Sequence, residues 1–210
     1  MTTSDERYAP TSDEDLVRLV KDNPLAWIVS GEGERFRASL MPVRPWKTEH
    51  GRIVQFAGHL PRHNDQVGLL RENPEANLLL LGPHAYLSPS PVANRTWTPT
   101  WNFASARCRV EIVFVEDPAM LRSILADLVD AMEAGREKPW RIEEMGRRYA
   151  ELSARIIGFI AHVRDTRERY KLGQDEPEDV YADLLGGLES EGHDELVEWM
   201  KRFNPGKGFL

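Results

Sequence analysis

Residues 55–66 read QFAGHLPRHNDQ. His59, Arg62, His63 and Asn64 follow Gly58 closely and stand around Pro61. The chain holds only six histidines, so two in one short segment point to a use. Glycine lets backbone approach a ligand closely, and proline can open a helix at its first turn. A strand-to-helix corner of this kind offers free backbone N–H groups to an anion, with Arg62 and Asn64 as directed donors. Phosphate, carboxylate or a propionate would suit it. A corner that merely caps and solvates uses the same residue types, and residue type alone favours that plainer use. Two histidines four apart could share a helical face and hold zinc, but Pro61 lies between them and no HExxH pattern accompanies them.

A second group of residues suits a flat ligand. GPHAYLSPS places His84, Tyr86 and Ser88 in a proline-rich stretch, and TWTPTWNF adds Trp97, Thr98, Thr100, Trp101 and Asn102. Aromatic surfaces beside hydroxyl and amide donors match a planar cofactor; Trp as core filler in a packed loop fits about as well. Further on, RYKLGQDEP supplies Lys171 and Gln174, where a lysine on a short loop can reach an anion or simply be solvated. There is no P-loop, GxGxxG or GxSxG pattern.

The elements that must position these residues can be read from periodicity. TSDEDLVRLVKDNP predicts a helix capped by Thr11 or Ser12, with Leu16, Leu19 and Val20 as its apolar stripe and Pro24 as its stop. LAWIVS, RFRASLMPV and RIVQFAG read as strands, with GEG and TEHG as turns. PRHNDQVGLLREN predicts a helix with Pro61 near its start, and ANLLLLG a buried strand. GPHAYLSPSPV carries too much Gly and Pro for regular structure and reads as a loop. ARCRVEIVFV is a long strand, and residues 118–134 form an amphipathic helix. RRYAELSARIIGFIAHV turns from helical to β-branched, placing a strand near 155–164. DEPEDVYADL reads as a solvated helix start, and DELVEWMKRF as a short amphipathic tail helix that docks on the body or on a partner subunit. Strands at short spacing with interspersed helices predict an α+β domain on an antiparallel barrel.

The 210-residue chain suits one domain with a tail. Its net charge of −7 and pI of about 5.5 argue against nucleic acid as a partner. No apolar run approaches a membrane span, and MTTSDERYAP is unlike a signal peptide, so the expected location is cytoplasmic. The single cysteine, Cys108, allows no intramolecular disulfide and reads as a small core or barrel residue.

Four stretches taken in order, GHLPRHND, GPHAYLSPS, TPTWNF and YKLGQDEP, with RYAP near the start, resemble the PaiB-like family of FMN-binding negative transcriptional regulators, whose pattern runs GHxxRxN, GPxxYxSP, PTWN and KLSQ. The resemblance covers residues 7 to 188. It implies a split β-barrel (residues 1–188) with flanking helices and a C-terminal helical tail (189–210), and a homodimer with its cofactor where the subunits meet. Cofactor contacts are implied for His59, Arg62, His63, Asn64, Tyr86, Ser88, Thr100, Trp101, Asn102, Lys171 and Gln174.

One branch of this family, the piperazate synthases of natural-product biosynthesis, binds haem b instead of FMN and is similar to this chain in detail. Its members convert N5-hydroxy-L-ornithine to L-piperazate by forming an N–N bond with loss of water. The histidine of GHxxRxN ligates the iron, which implies His59 here. This chain departs from the regulator pattern in three places: His63 replaces a small residue, SPSPV lacks the Ser-Trp-Tyr that follows in many regulators, and KLGQDEP replaces KLSQN. These departures weaken the flavin-regulator reading; an FMN-binding regulator or flavin oxidoreductase is the alternative to the haem-dependent cyclase.

Overall fold

The computed structural model describes residues 4–208, with side chains from residue 6 onward; the first residues of the polar N-terminal stretch and the end of the tail lie outside this range. The described elements are helix α1 (Ser4–Arg7), α2 (Asp15–Asp22), strands β1 (Leu25–Ser30), β2 (Arg37–Glu49) and β3 (Arg52–Pro61), α3 (Asp65–Glu72), β4 (Glu75–Leu87), β5 (Thr100–Val115), α4 (Pro118–Glu133), α5 (Arg148–Ser153), β6 (Ile156–Lys171), α6 (Glu178–Ser190) and α7 (Asp194–Phe203). Two short 3-10 turns, Gly33–Arg35 and Ile142–Met145, complete it. The six strands close into a barrel in the order β1-β2-β3-β6-β5-β4, with every neighbouring pair antiparallel. Closure leaves no unpaired edge. The fold is the expected split barrel with flanking helices.

Alternation along each strand decides what is inside. Ile28, Val43, Phe56, Leu60, Leu78, Leu80, Ala104, Cys108 and Phe159 point inward and are buried. Leu16, Leu19 and Val20 of α2, Tyr181 and Leu184 of α6, and Trp199, Met200 and Phe203 of α7 join the same core. Trp199 stacks on Tyr170 at 5.7 Å between ring centroids. Helix α4 packs on the outer wall, where Ala57, Ile124 and Ile160 form a separate small cluster with Trp46, Val115 and Met120. Cys108 is the core residue its strand position suggested, and burial pushes its thiol up to about 12. No helix among the described residues is long and apolar enough to cross a membrane.

Several strands outrun their sequence signals. GPHAYL is not a loop: it completes β4, pairing with β5 from His84↔Phe103 to Leu87↔Thr100. A register irregularity between Leu81 and His84 takes up Gly82 and Pro83, and a bulge is where a sheet tolerates a proline. A Cβ at Gly82 would fall 2.2 Å from Leu19 Cδ1, so glycine there lets α2 seat on the barrel. The TEHG turn narrows to His50 and Gly51, both at positive φ (49° and 82°), as a two-residue hairpin requires. β6 extends well beyond residue 164, to Lys171. Thr11 and Ser12 do not cap α2; their backbone N–H groups donate to the buried carboxylate of Asp15 at 2.6 and 2.9 Å. Arg202 pairs with the same carboxylate, which ties the N-terminal segment to α7.

Candidate cofactor site

GHLPRHND does not form the open corner its composition suggests. β3 continues through His59 and Leu60 to Pro61, because Gly58, His59 and Leu60 pair with Phe159, Gly158 and Ile157 of β6. Pro61 therefore ends a strand rather than opening a helix. α3 starts at Asp65, and Asn64 is its N-cap, its Oδ1 accepting from Gln66 N at 2.9 Å. Asn64 Nδ2 also donates to Ser39 Oγ at 2.9 Å. Arg62 N is spent on Arg155 O and Asn64 N on Pro61 O, so the N–H groups expected to be free for an anion are largely taken. The Arg62 side chain is exposed and reaches Glu116 at 3.4 Å. His63 is exposed in the turn.

His59 is the distinctive group at this end of the barrel. Gly58 and Leu60 face inward, so His59 projects from the outer wall, opposite Gly158. A Cβ on Gly158 would lie 3.1 Å from Leu121 of α4, so α4 closes over that neighbouring position. The His59 ring is half-buried. Its Nδ1 is sealed from solvent with no hydrogen-bond partner among the described residues. Burial holds its pKa below the usual histidine value, which favours the neutral imidazole. The neutral imidazole is the form that ligates a metal, and a half-buried ring with an unpartnered nitrogen suits an axial ligand of a haem iron.

The second half of the motif set gathers elsewhere. Tyr86 and Trp101 are cross-strand partners on β4 and β5. They meet edge-on with centroids 5.9 Å apart and remain about half exposed, at 46% and 54%. Lys171 Nζ bonds Thr100 Oγ1. Ser88 Oγ donates to Ser90 Oγ at 3.0 Å just beyond β4. Asn102 points the opposite way, into the core, where Nδ2 reaches Met200 Sδ at 3.6 Å. Gln174 folds the chain after β6: Nε2 donates to Tyr170 O at 2.6 Å, and Oε1 accepts from Leu172 N at 2.7 Å.

The two halves sit at opposite ends of one long strand. His59 lies opposite Gly158, near the start of β6, and Lys171 is its last residue. At about 3.3 Å per residue the intervening strand spans roughly 40 Å. Two of the larger clefts, about 460 and 480 Å³, are lined by Asp13, Arg52 and Glu168 and by Lys21, Asp22 and Arg202. Neither cleft is lined by any of the motif residues.

Sequence reasoning passed over an outward row that crosses β2, β1, β4, β5 and β6. Trp27 pairs with Leu40 on one side and Leu79 on the other; Leu79 pairs with Arg107, and Arg107 with Arg167. Trp27, Leu40 and Leu79 are all exposed. The signal was present as the alternating cations of ARCR and RDTRERYK, but only the closed barrel brings them beside the apolar residues.

The comparisons with known proteins agree with this architecture. Residues 4–165 match the family described as "Putative FMN-binding domain". The chain is 25% identical over 186 residues to the protease synthase and sporulation protein PAI 2 of Bacillus subtilis (strain 168), covering 88% of this chain and 87% of that one. The FAD and haem binding protein from Mycobacterium smegmatis superposes with a TM-score of 0.59 at 18% identity, covering 85% of this chain and 79% of that one. The flavocytochrome Anf3 from Azotobacter vinelandii gives a TM-score of 0.59 at 15% identity, covering 85% and 77%. On the family match over most of its length, this chain belongs to the FMN-binding domain family, carried here on a split barrel.

Proposed function

We propose that the protein is a haem-dependent piperazate synthase that works as a homodimer, with His59 as the axial ligand. The observation that carries this reading is the His59 imidazole: half-buried, held toward its neutral form by burial, and with Nδ1 sealed and without a partner among the described residues. The named relatives add support, since one structural neighbour binds both FAD and haem and another is a flavocytochrome.

Bound at His59, haem would supply an open iron face able to polarise a hydroxylamine. The rest of the work falls to the chain. Nε2 ligates only without its proton, so the neutral ring must carry its proton on Nδ1. The pocket must fold N5-hydroxy-L-ornithine so that its two nitrogens meet, and such positioning contributes up to about 7–11 kcal/mol. The α-amine must reach the pocket neutral. The N–N bond forms as the N–O bond breaks, one water leaves, and no external reductant is consumed.

A homodimer is part of the proposal because one chain supplies the two halves of the motif set at opposite ends of β6. The exposed row of Leu40, Trp27 and Leu79, extended by Leu25 and Leu81 on the same face, offers a self-complementary apolar surface for a second copy. A solution monomer that holds the cofactor tightly would overturn this part.

The test is an absorption spectrum before and after haemin addition, followed by incubation with N5-hydroxy-L-ornithine without NAD(P)H. The expected product is one water lighter than the substrate, with the N–N bond established by nitrogen-15 coupling; ornithine should not react. His59→Ala should abolish the native Soret spectrum, while His63→Ala should keep the axial bond. Arg62→Ala should weaken haem binding by about 1.5–3 kcal/mol if Arg62 meets a propionate. The matched family's description supports a second reading, an FMN-binding regulator or flavin oxidoreductase. That reading replaces the first if haem-loaded protein leaves the hydroxylamine unconsumed while FMN binds and turns over with NAD(P)H.

A further inference from the structure

The cleft of about 460 Å³ that holds none of the motif residues lies where the barrel wall is open. Closure gives every strand a neighbour on both sides, but β3 and β6 pair only from Gln55↔His162 to Pro61↔Ile156. Beyond Gln55 and His162 the two strands part, and the segment before α2 crosses the gap. There Tyr170 N donates to Tyr8 O at 2.8 Å, and Arg52 Nε donates to Asp13 Oδ1 at 2.8 Å. The cleft is walled by residues 52–54 of β3, by 163–166 and 168 of β6, and by Pro10, Ser12 and Asp13 of the crossing segment. Consecutive strand residues point their side chains to opposite faces of a sheet. A lining of consecutive residues from both strands therefore belongs to the strand edges and not to a sheet face.

This stretch of β6 carries the main-chain groups that an added strand needs. In an antiparallel ladder the N–H and C=O of one residue point to the same side, and that side alternates along the strand. The Tyr170 amide points toward the crossing segment, so the N–H and C=O of Glu168 and Thr166 point the same way, into the cleft. Among the described residues neither β3 nor the crossing segment bonds to them. From Arg164 to Glu168 the wall runs roughly 13 Å, enough for about five extended residues. Charge selects what enters. Arg52 is held by Asp13, Arg164 by Glu111 and Asp165 by Arg107. Glu168 forms no ion pair among the described residues; half-buried, it accepts from the Tyr170 hydroxyl at 2.5 Å. Burial raises its pKa, and the charges of Asp15 and Asp13 add to that, so a cation brought beside it is favoured. We propose that this cleft receives an extended basic segment of another polypeptide, which adds to β6 through the main chain of Thr166 and Glu168 and sets a lysine or arginine against the Glu168 carboxylate. Such binding is independent of the cofactor, since no motif residue lines the cleft.

The probes are acetylated, amidated pentapeptides Val-Thr-X-Thr-Val in which X is lysine, arginine, norleucine or glutamate; the β-branched flanks favour the extended form. Titrated into the full chain, the lysine and arginine peptides should bind about tenfold or more tightly than the norleucine peptide, and the glutamate peptide should bind weakest. Hydrogen exchange at the Thr166 and Glu168 amides should slow when the lysine peptide is bound. Glu168→Gln keeps a side chain of the same size and should erase the preference for lysine over norleucine, with thermal unfolding checking its fold. N-methylation of the peptide main chain should abolish binding, because it removes the donors that an added strand supplies. If n-butylamine binds as tightly as the lysine peptide, or the N-methylated peptide binds unchanged, the cleft takes an ammonium group alone and strand addition is overturned. If the preference for lysine survives Glu168→Gln, or the two amides gain no protection, the assignment to this cleft is overturned. No binding of any of the peptides at millimolar concentration overturns the proposal as a whole.

Discussion

Replacing His59 by leucine should strengthen the cofactor-free fold while destroying cofactor binding. The His59 ring is half-buried, and its Nδ1 is sealed without a partner. An unsatisfied buried polar atom costs about 1–3 kcal/mol, and leucine of similar bulk removes it. The ring is only partly covered, so the lower part of that range applies, about 1–2 kcal/mol. For a chain of this size each kcal/mol moves Tm by about 2–4 °C, giving a rise of roughly 2–8 °C at neutral pH. The pH dependence adds a second signature. Burial lowers the folded-state pKa of His59, whereas the unfolded chain titrates near the ordinary value of about 6.5. Below that pH the unfolded chain binds a proton that the folded chain refuses, so wild-type stability falls as pH drops through about 6.5. His59→Leu lacks that loss, and its advantage should grow from pH 7 to pH 5. Urea unfolding of both cofactor-free proteins between pH 5 and pH 8 measures this. A variant less stable than wild type at pH 7, or a stability gap that does not change with pH, would refute the reasoning.

Gly58→Ala should cost about 1–3 kcal/mol by overpacking, since its Cβ would sit 2.5 Å from Phe159 Cζ and 3.0 Å from the Pro42 carbonyl oxygen; chemical denaturation reads the loss, and the haem spectrum should change with it because His59 is next in the strand. Trp199→Ala should cost about 3–5 kcal/mol, because the ring is fully buried in the shared core and stacks on Tyr170; an unfolding midpoint within error of wild type would mean that α7 is dispensable. Burial raises the Glu168 pKa above its ordinary value, so folding favours its protonated form and stability falls as pH rises from the unfolded-state pKa through the folded one. Glu168→Gln should therefore gain most over wild type at pH 7 and little at pH 4, as thermal scans at the two pH values would show.

Residue order alone carried the elements with strong period. LAWIVS, RIVQFAG and ARCRVEIVFV alternate or stay apolar over a strand's length, and 118–134 and DELVEWMKRF repeat at helical spacing; burial of one face is written into such patterns. The motif residues themselves were also legible, since GHLPRHND and YKLGQDEP are local strings. Their arrangement was not. Gly82 and Pro83 end a strand in local terms, yet β4 runs through them because β5 is there to pair with and a bulge absorbs the proline. Pro61 looks like a helix start, yet it pairs with Ile156 across the barrel. The charge state of His59 depends on its burial, and its strand partner, Gly158 of β6, is far away in the sequence. Likewise Arg107 and Arg167 become neighbours only through the register of β5 on β6. Local sequence set which residues could do chemistry; long-range strand pairing decided which of them face outward and which are sealed.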